Sequence, residues 1–418
     1  MNLLQNLSGA AEALMDYAQS VPVIDTHEHI PCRERDYLAH TIRFGELFNP
    51  YVSNDLVSAG VPKPPDAWAA FHCIPDDWQA FAPAWQACKH SSFARPIRIA
   101  LQEFYDVDDF TEENFLDIVA RINANNTEGI YDRLLRQKCN IEKSIVCAGE
   151  LPDPDDPLLC GNIASPSLNC NTLPGIRLME EQAGYGSVKT VEELVELGDA
   201  WMELQASRGA MEFKTRASSV QYPDRTSAQE ILDRLLNGET ICEDDVAPLS
   251  SYVREFNARK CAKLQLPFAM HTGVWKDYRA IEIADQIPFI LRHPETRMDL
   301  YHVGIPHPRD AIQIVKNFPN AYLNLCWAHI VASDMVVQTM KEAIDMVPFN
   351  KIFAFGADYV FFIEKVYGHL QIARENIALV LGDRVDRGLM DIDEAKAILK
   401  AWFYDNPKRF YKISMQSP

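Results

Sequence analysis

Residues 23–29 read Val-Ile-Asp-Thr-His-Glu-His. An apolar run here ends in two histidines two positions apart. In a β-strand residues i and i+2 project to the same side, so His27 and His29 share one face and Glu28 takes the other, as a structural residue. Two neutral imidazoles held side by side make a site for a divalent metal ion, and histidine is a common zinc ligand. Taken alone, the pair fits equally well two polar residues leaving a strand.

Three later stretches shift that balance. Pro267-Phe-Ala-Met-His271, Leu300-Tyr-His302 and Phe353-Ala-Phe-Gly-Ala-Asp358 are apolar runs that each deliver one histidine or aspartate. A single buried histidine is ordinarily a core residue with satisfied hydrogen bonds. The same delivery at successive strand ends is not expected by chance. In a (β/α)8 barrel the C-terminal ends of the strands are where active sites are built.

The rest of the chain supports such a barrel. The apolar runs predict strands at Val21–Asp25, Ile141–Cys147, Gly175–Met179, Ala210–Thr215, Pro267–His271, Arg297–His302, Ala321–Cys326 and Ile352–Gly356. Helical periodicity between them includes Val191–Ser207, Ala247–Leu264, Arg309–Asn317, Ser333–Met346 and Phe362–Leu381. Alternation of this kind argues for parallel strands joined by crossover helices. Residues 31–137 break the rhythm and are too long for a βα loop. They predict a mainly helical insertion after the first strand, capping a barrel formed by 1–30 and 138–418. Residues 150–172 lack periodicity and read as a long loop at the same mouth.

Composition narrows the function. The 418 residues carry 40 Lys and Arg against 59 Asp and Glu, a formal net charge of −19. Such a field disfavours nucleic acid and anionic membranes. No apolar run approaches the roughly 18 residues of a membrane span. The ten cysteines form no CxxC pair, which fits reduced thiols in the cytoplasm. There is no nucleophile elbow, P-loop or HExxH helix. A small-molecule substrate is the expected partner, and a homo-oligomer the expected assembly.

As a set, His27, His29, Lys214, His271, His302 and Asp358 resemble the amidohydrolase superfamily of metal-dependent (β/α)8 barrels. The tail Asp405-Asn-Pro-Lys-Arg-Phe-Tyr411 resembles that of its amidohydrolase-2 branch, and the layout is similar to the amidohydrolase-like half of some glutamine-synthetase fusions. Residues 95–118 resemble a helical segment of bacterial uronate isomerases. The resemblance implies one or two divalent ions, with zinc the default. His27, His29 and His271 would be ligands. Asp358 would be both ligand and proton carrier for a metal-activated water. His302 would polarise a substrate oxygen or hold a second ion. Lys214 would be either a carbamylated bridge between two ions or a free ammonium.

Around this set, Arg33 and Arg216 are candidate carboxylate forks, and Trp275, Trp327 and Tyr359 candidate pocket walls. His307, His329 and His369 read as ordinary helix or loop residues. The first functional expectation is hydrolysis of a C–N or C–O bond in a small polar substrate. The alternative is a non-hydrolytic reaction on the same scaffold, decarboxylation or uronate-type isomerisation.

Overall fold

Eight parallel strands follow one another in chain order: β1 (Val23–Glu28), β2 (Ile141–Val146), β3 (Leu159–Ala164), β4 (Ala210–Arg216), β5 (Phe268–His271), β6 (Met298–Tyr301), β7 (Ala321–Asn324) and β8 (Ile352–Phe353). The computed structural model describes residues 3–7, 9–62, 76–216, 222–242, 245–273 and 282–413. The two edges of the sheet meet through backbone bonds beyond β8. Thr26 N–H donates to the Phe355 carbonyl (3.0 Å), Asp358 N–H to that of His27 (2.9 Å), and His29 N–H to that of Tyr359 (3.1 Å). The expected (β/α)8 barrel is the fold, nearly closed between β8 and β1.

One strand is not where the sequence places it. Gly175–Met179 lies inside a helix, Leu173–Ala183, and the third strand is Leu159–Ala164, within the stretch read as a loop. The helix has its own signals. Thr172 caps its N-terminus, Pro174 sits in the first turn, and Gly184 closes it at φ 61°. Its buried residues Ile176, Met179 and Glu180 recur at helical spacing. Strand β3 has a weak signature because its backbone is squeezed. A Cβ on Gly161 would stand 2.2 Å from the Leu151 side chain, so this position gives up the bulky residue that marks a strand.

Between β1 and β2 the chain forms helices Trp78–Cys88, Arg95–Tyr105 and Phe115–Asn125. Phe44, Phe48, Phe81, Trp85 and Phe110 pack ring to ring among them. This core is continuous with that of the barrel. The helix Glu364–Asp386 after β8 makes the join. Glu364 accepts from Tyr105 Oη (2.6 Å), and the buried Lys365 ammonium donates to the carbonyl of Asn49 (2.6 Å). A Cβ on Gly368 would lie 2.2 Å from the Pro96 carbonyl oxygen, so glycine lets the two helices meet at backbone distance. Among the described residues no helix is long and apolar enough to cross a membrane.

Candidate metal centre and substrate cavity

Strand β1 and the turn after it carry His27 and His29; the turn after β8 carries Asp358. The donor atoms of these three side chains lie within 4.8 Å of one another. Asp358 Oδ1 is 3.3 Å from His27 Nε2 and 3.4 Å from His29 Nε2. Lys214, on β4, places Nζ 2.7 Å from His27 Nε2 and 3.4 Å from His29 Nε2.

Hydrogen bonds behind the site fix the tautomers. His29 Nδ1 is 2.5 Å from the Cys147 carbonyl, which can only accept. The proton is therefore on Nδ1, and Nε2 turns its lone pair to the site. His302 Nδ1 likewise donates to the Cys326 carbonyl (3.0 Å). Its Nε2 then accepts from His271 Nδ1 (3.1 Å), so the unprotonated nitrogen of His271 is Nε2. Partners of this kind orient imidazole ligands and set their basicity.

Burial governs the charge states. It brings His29 and His302 down to about 4 and His27 and His271 well below the ordinary imidazole value; the Lys214 charge adds to this at His27 and His29. Burial would raise the Asp358 carboxyl, but His27, His29 and His302 outweigh it and hold it well below the usual carboxylate range. The Nε2 atoms of His27 and His29 and a carboxylate oxygen of Asp358 thus converge at 3.3–3.4 Å. Such a cluster of acceptors is stable around positive charge. The donor set fits a divalent cation, and the Lys214 ammonium already brings one charge to it.

A cavity of about 230 Å³ opens onto this cluster. His29, Lys214, Arg216, His271, Trp327 and Asp358 line it, together with Pro50 and Tyr51 from the segment between β1 and β2. Two of the candidate substrate-binding residues lie elsewhere. Arg33 is half exposed and spends its guanidinium on Asp36 (2.7 Å) and Glu150 (3.1 Å). Tyr359 is buried outside the cavity lining, its ring 4.8 Å from Lys365 Nζ. His302 is fully buried and meets the cavity through His271. Trp275 lies outside the described residues.

Two residues of the site go beyond what the sequence signals. Tyr51 follows the aromatic-rich start of the insertion, where nothing marks it as facing a strand end 307 positions away. Its Oη donates to the Asp358 carbonyl at 2.6 Å. Glu28 turns away from the histidines, as expected, but is no bystander. Its carboxylate accepts from the backbone N–H of Tyr359 (2.8 Å) and of His29 (3.3 Å), fastening the ends of β1 and β8 together. The backbone is strained along this rim. His302, Val303, Trp327 and Asp358 all have positive φ, between 48° and 68°, and such conformations in non-glycine residues concentrate at functional sites.

A nearly closed barrel with ligand-type side chains at the ends of strands 1, 4, 5, 6 and 8 defines the class. Residues 240–413 match the family model described as amidohydrolase, so the likeness to the amidohydrolase superfamily read from the sequence holds. A curated relative, the uronate isomerase of Thermotoga petrophila, is 20% identical over 226 residues. That match covers 46% of this chain and 47% of the relative, so the chain spans about half the length of the curated relatives it matches. The solved uronate isomerase of Thermotoga maritima superposes with a TM-score of 0.78 at 16% identity, covering 98% of both chains. The glucuronate isomerase of Caulobacter crescentus gives 0.75 at 14% identity, over 100% of this chain and 97% of that one. At these identities the structural likeness establishes the fold alone.

Proposed function

We propose that this chain is a metal-dependent enzyme acting on a small carboxylated substrate without hydrolysing it, an isomerase of the uronate type. The observation that carries the reading is the convergence, on one cavity, of a metal-ligand cluster and two cationic side chains, Lys214 and Arg216. The names of the relatives move the reaction type from hydrolysis, the first expectation, to isomerisation, the alternative.

His27, His29 and Asp358 would hold one divalent ion, with His271 beside them; a nitrogen-rich set with one carboxylate suits zinc. That ion supplies electrophilic polarisation of a substrate oxygen. The chain's own residues do the rest. Arg216 offers a planar fork to the substrate carboxylate. Lys214 acts as a free ammonium, adding positive charge where negative charge develops on the substrate. Asp358, ionised at pH 7, takes the proton from the hydroxyl-bearing carbon and returns it to the neighbouring carbonyl carbon, while the hydroxyl proton passes to the former carbonyl oxygen. His302 holds the tautomer and orientation of His271. The walls of the segment between β1 and β2 keep water from the reacting atoms.

The test is incubation of the metal-loaded protein with uronates, glucuronate first, in deuterium oxide, followed by NMR. Ketose signals are expected, with the substrate's own hydrogen largely retained at the carbon that receives it, because Asp358 carries the proton out of contact with water. Absence of conversion across a uronate panel, with turnover of amides or esters instead, would return the chain to hydrolysis.

A further inference from the structure

The segment 354–359 carries Asp358 but has almost no sheet to hold it. Strand β8 pairs through Ile352 and Phe353 alone. Yet every carbonyl from Ala354 to Tyr359 has a donor. Phe355 accepts from Thr26 N–H and Oγ1, Gly356 from Trp327 N–H, Asp358 from Tyr51 Oη, and Tyr359 from His29 N–H. The remaining two are taken by histidines that the metal site does not use. His329 Nε2 donates to Ala354 (2.9 Å), and His369 Nδ1 donates to Ala357 (3.3 Å).

Both rings are fully buried and stand 6.2 Å apart. Their commitment to this segment is specific. His329 Nδ1 accepts from the Asn376 amide (3.2 Å), which leaves Nε2 as the protonated nitrogen. His369 Nε2 has no hydrogen-bond partner among the described residues, so the bond to Ala357 is the one its ring makes there. Burying an imidazole for a single carbonyl is costly unless that carbonyl's position matters. It lies one residue before Asp358, whose φ of 64° would relax without support.

We propose that His329 and His369 are positioning residues for the metal centre: they brace the carbonyls of Ala354 and Ala357 and so fix the Asp358 carboxylate against His27 and His29. The proposal rests on the metal reading only for its consequence, not for the bracing itself. The two nitrogens differ, and that makes the test sharp. An asparagine amide nitrogen replaces Nδ1, and a glutamine amide nitrogen replaces Nε2. His369→Asn and His329→Gln therefore keep the donor, whereas His369→Gln and His329→Asn misplace it, and all four lose the ring.

Two readouts are compared across these variants. The first is hydrogen exchange of the 354–359 amides in the metal-free protein, where the mismatched pair should exchange at least tenfold faster than the matched pair. The second is zinc affinity by chelator competition, where the mismatched pair should lose about 10- to 100-fold, the usual cost of removing a group that orients a ligand, and the matched pair about threefold or less. Equal exchange in matched and mismatched variants would overturn the proposal, whatever the affinities. Should the wild type bind no divalent ion, the functional reading fails while the exchange comparison still decides the bracing.

Discussion

The hydroxyl of Tyr51 donates to the backbone carbonyl of Asp358 at 2.6 Å, and through that bond the segment between β1 and β2 holds the aspartate that stands against His27 and His29. The ring is held in turn by Phe93 (5.3 Å) and Trp327 (4.8 Å). Tyr51 thus both lines the cavity and bonds to the backbone of Asp358. Tyr51→Phe keeps the stacking and removes the donor, leaving a buried carbonyl unsatisfied. A loss of about 1–3 kcal/mol in unfolding free energy is expected from denaturant titration.

The ligand cluster predicts metal content directly. Purified without chelators, the wild type is expected to carry about one ion per chain by plasma mass spectrometry, and His27→Ala with Asp358→Ala almost none. Asp358→Asn, which keeps the shape but cannot take up a proton, should lower kcat by about 10²- to 10⁴-fold, the range for a proton-transfer group.

Arg216 lines the cavity beside Lys214. If it binds the substrate carboxylate equally in ground and transition states, Arg216→Ala raises KM by about tenfold or more and leaves kcat near wild type. Arg216→Lys does not restore KM, because the ammonium lacks the bidentate fork. Steady-state kinetics on a carboxylated substrate and its amide separate this from a general loss of structure.

Acid should unfold the metal-free protein early. Burial lowers His329 from 6.5 to about 4. Above pH 6.5 the group is neutral whether folded or unfolded and adds nothing. Between 6.5 and about 4 the unfolded chain binds a proton that the fold refuses, so stability falls as pH falls. The full loss is about 3 kcal/mol at 1.36 kcal/mol per unit. His329→Gln retains the hydrogen bond and cannot titrate, so its stability should slope less steeply across that window by one proton. Urea midpoints measured at several pH values check this.

Much of the site is legible in the chain itself. His27, His29, His271 and Asp358 announce themselves because a buried parallel strand is nearly all apolar, and a ligand-type residue at its end breaks a uniform background. Lys214 stands out less, one charged residue in Ala-Met-Glu-Phe-Lys, yet it does lie on β4. Arg33 misleads for the opposite reason. Proximity in sequence to His29 does not bring a long side chain to the cavity when Asp36 and Glu150 are nearer. His329 and His369 read as ordinary because a helix-borne histidine has no local mark of what it braces.

The sequence by itself determined the class of fold and the identity of the ligand-type side chains at the strand ends, since strand–helix alternation and apolar periodicity are local and repeat along the chain. The tertiary structure alone decided which atoms face one another. The placement of Asp358 depends on donors from residues 26, 29, 51, 327, 329 and 369, brought together by barrel closure. Hydrogen bonds across such separations leave no periodic trace, because each is satisfied by a single residue whose partner is chosen by three-dimensional packing.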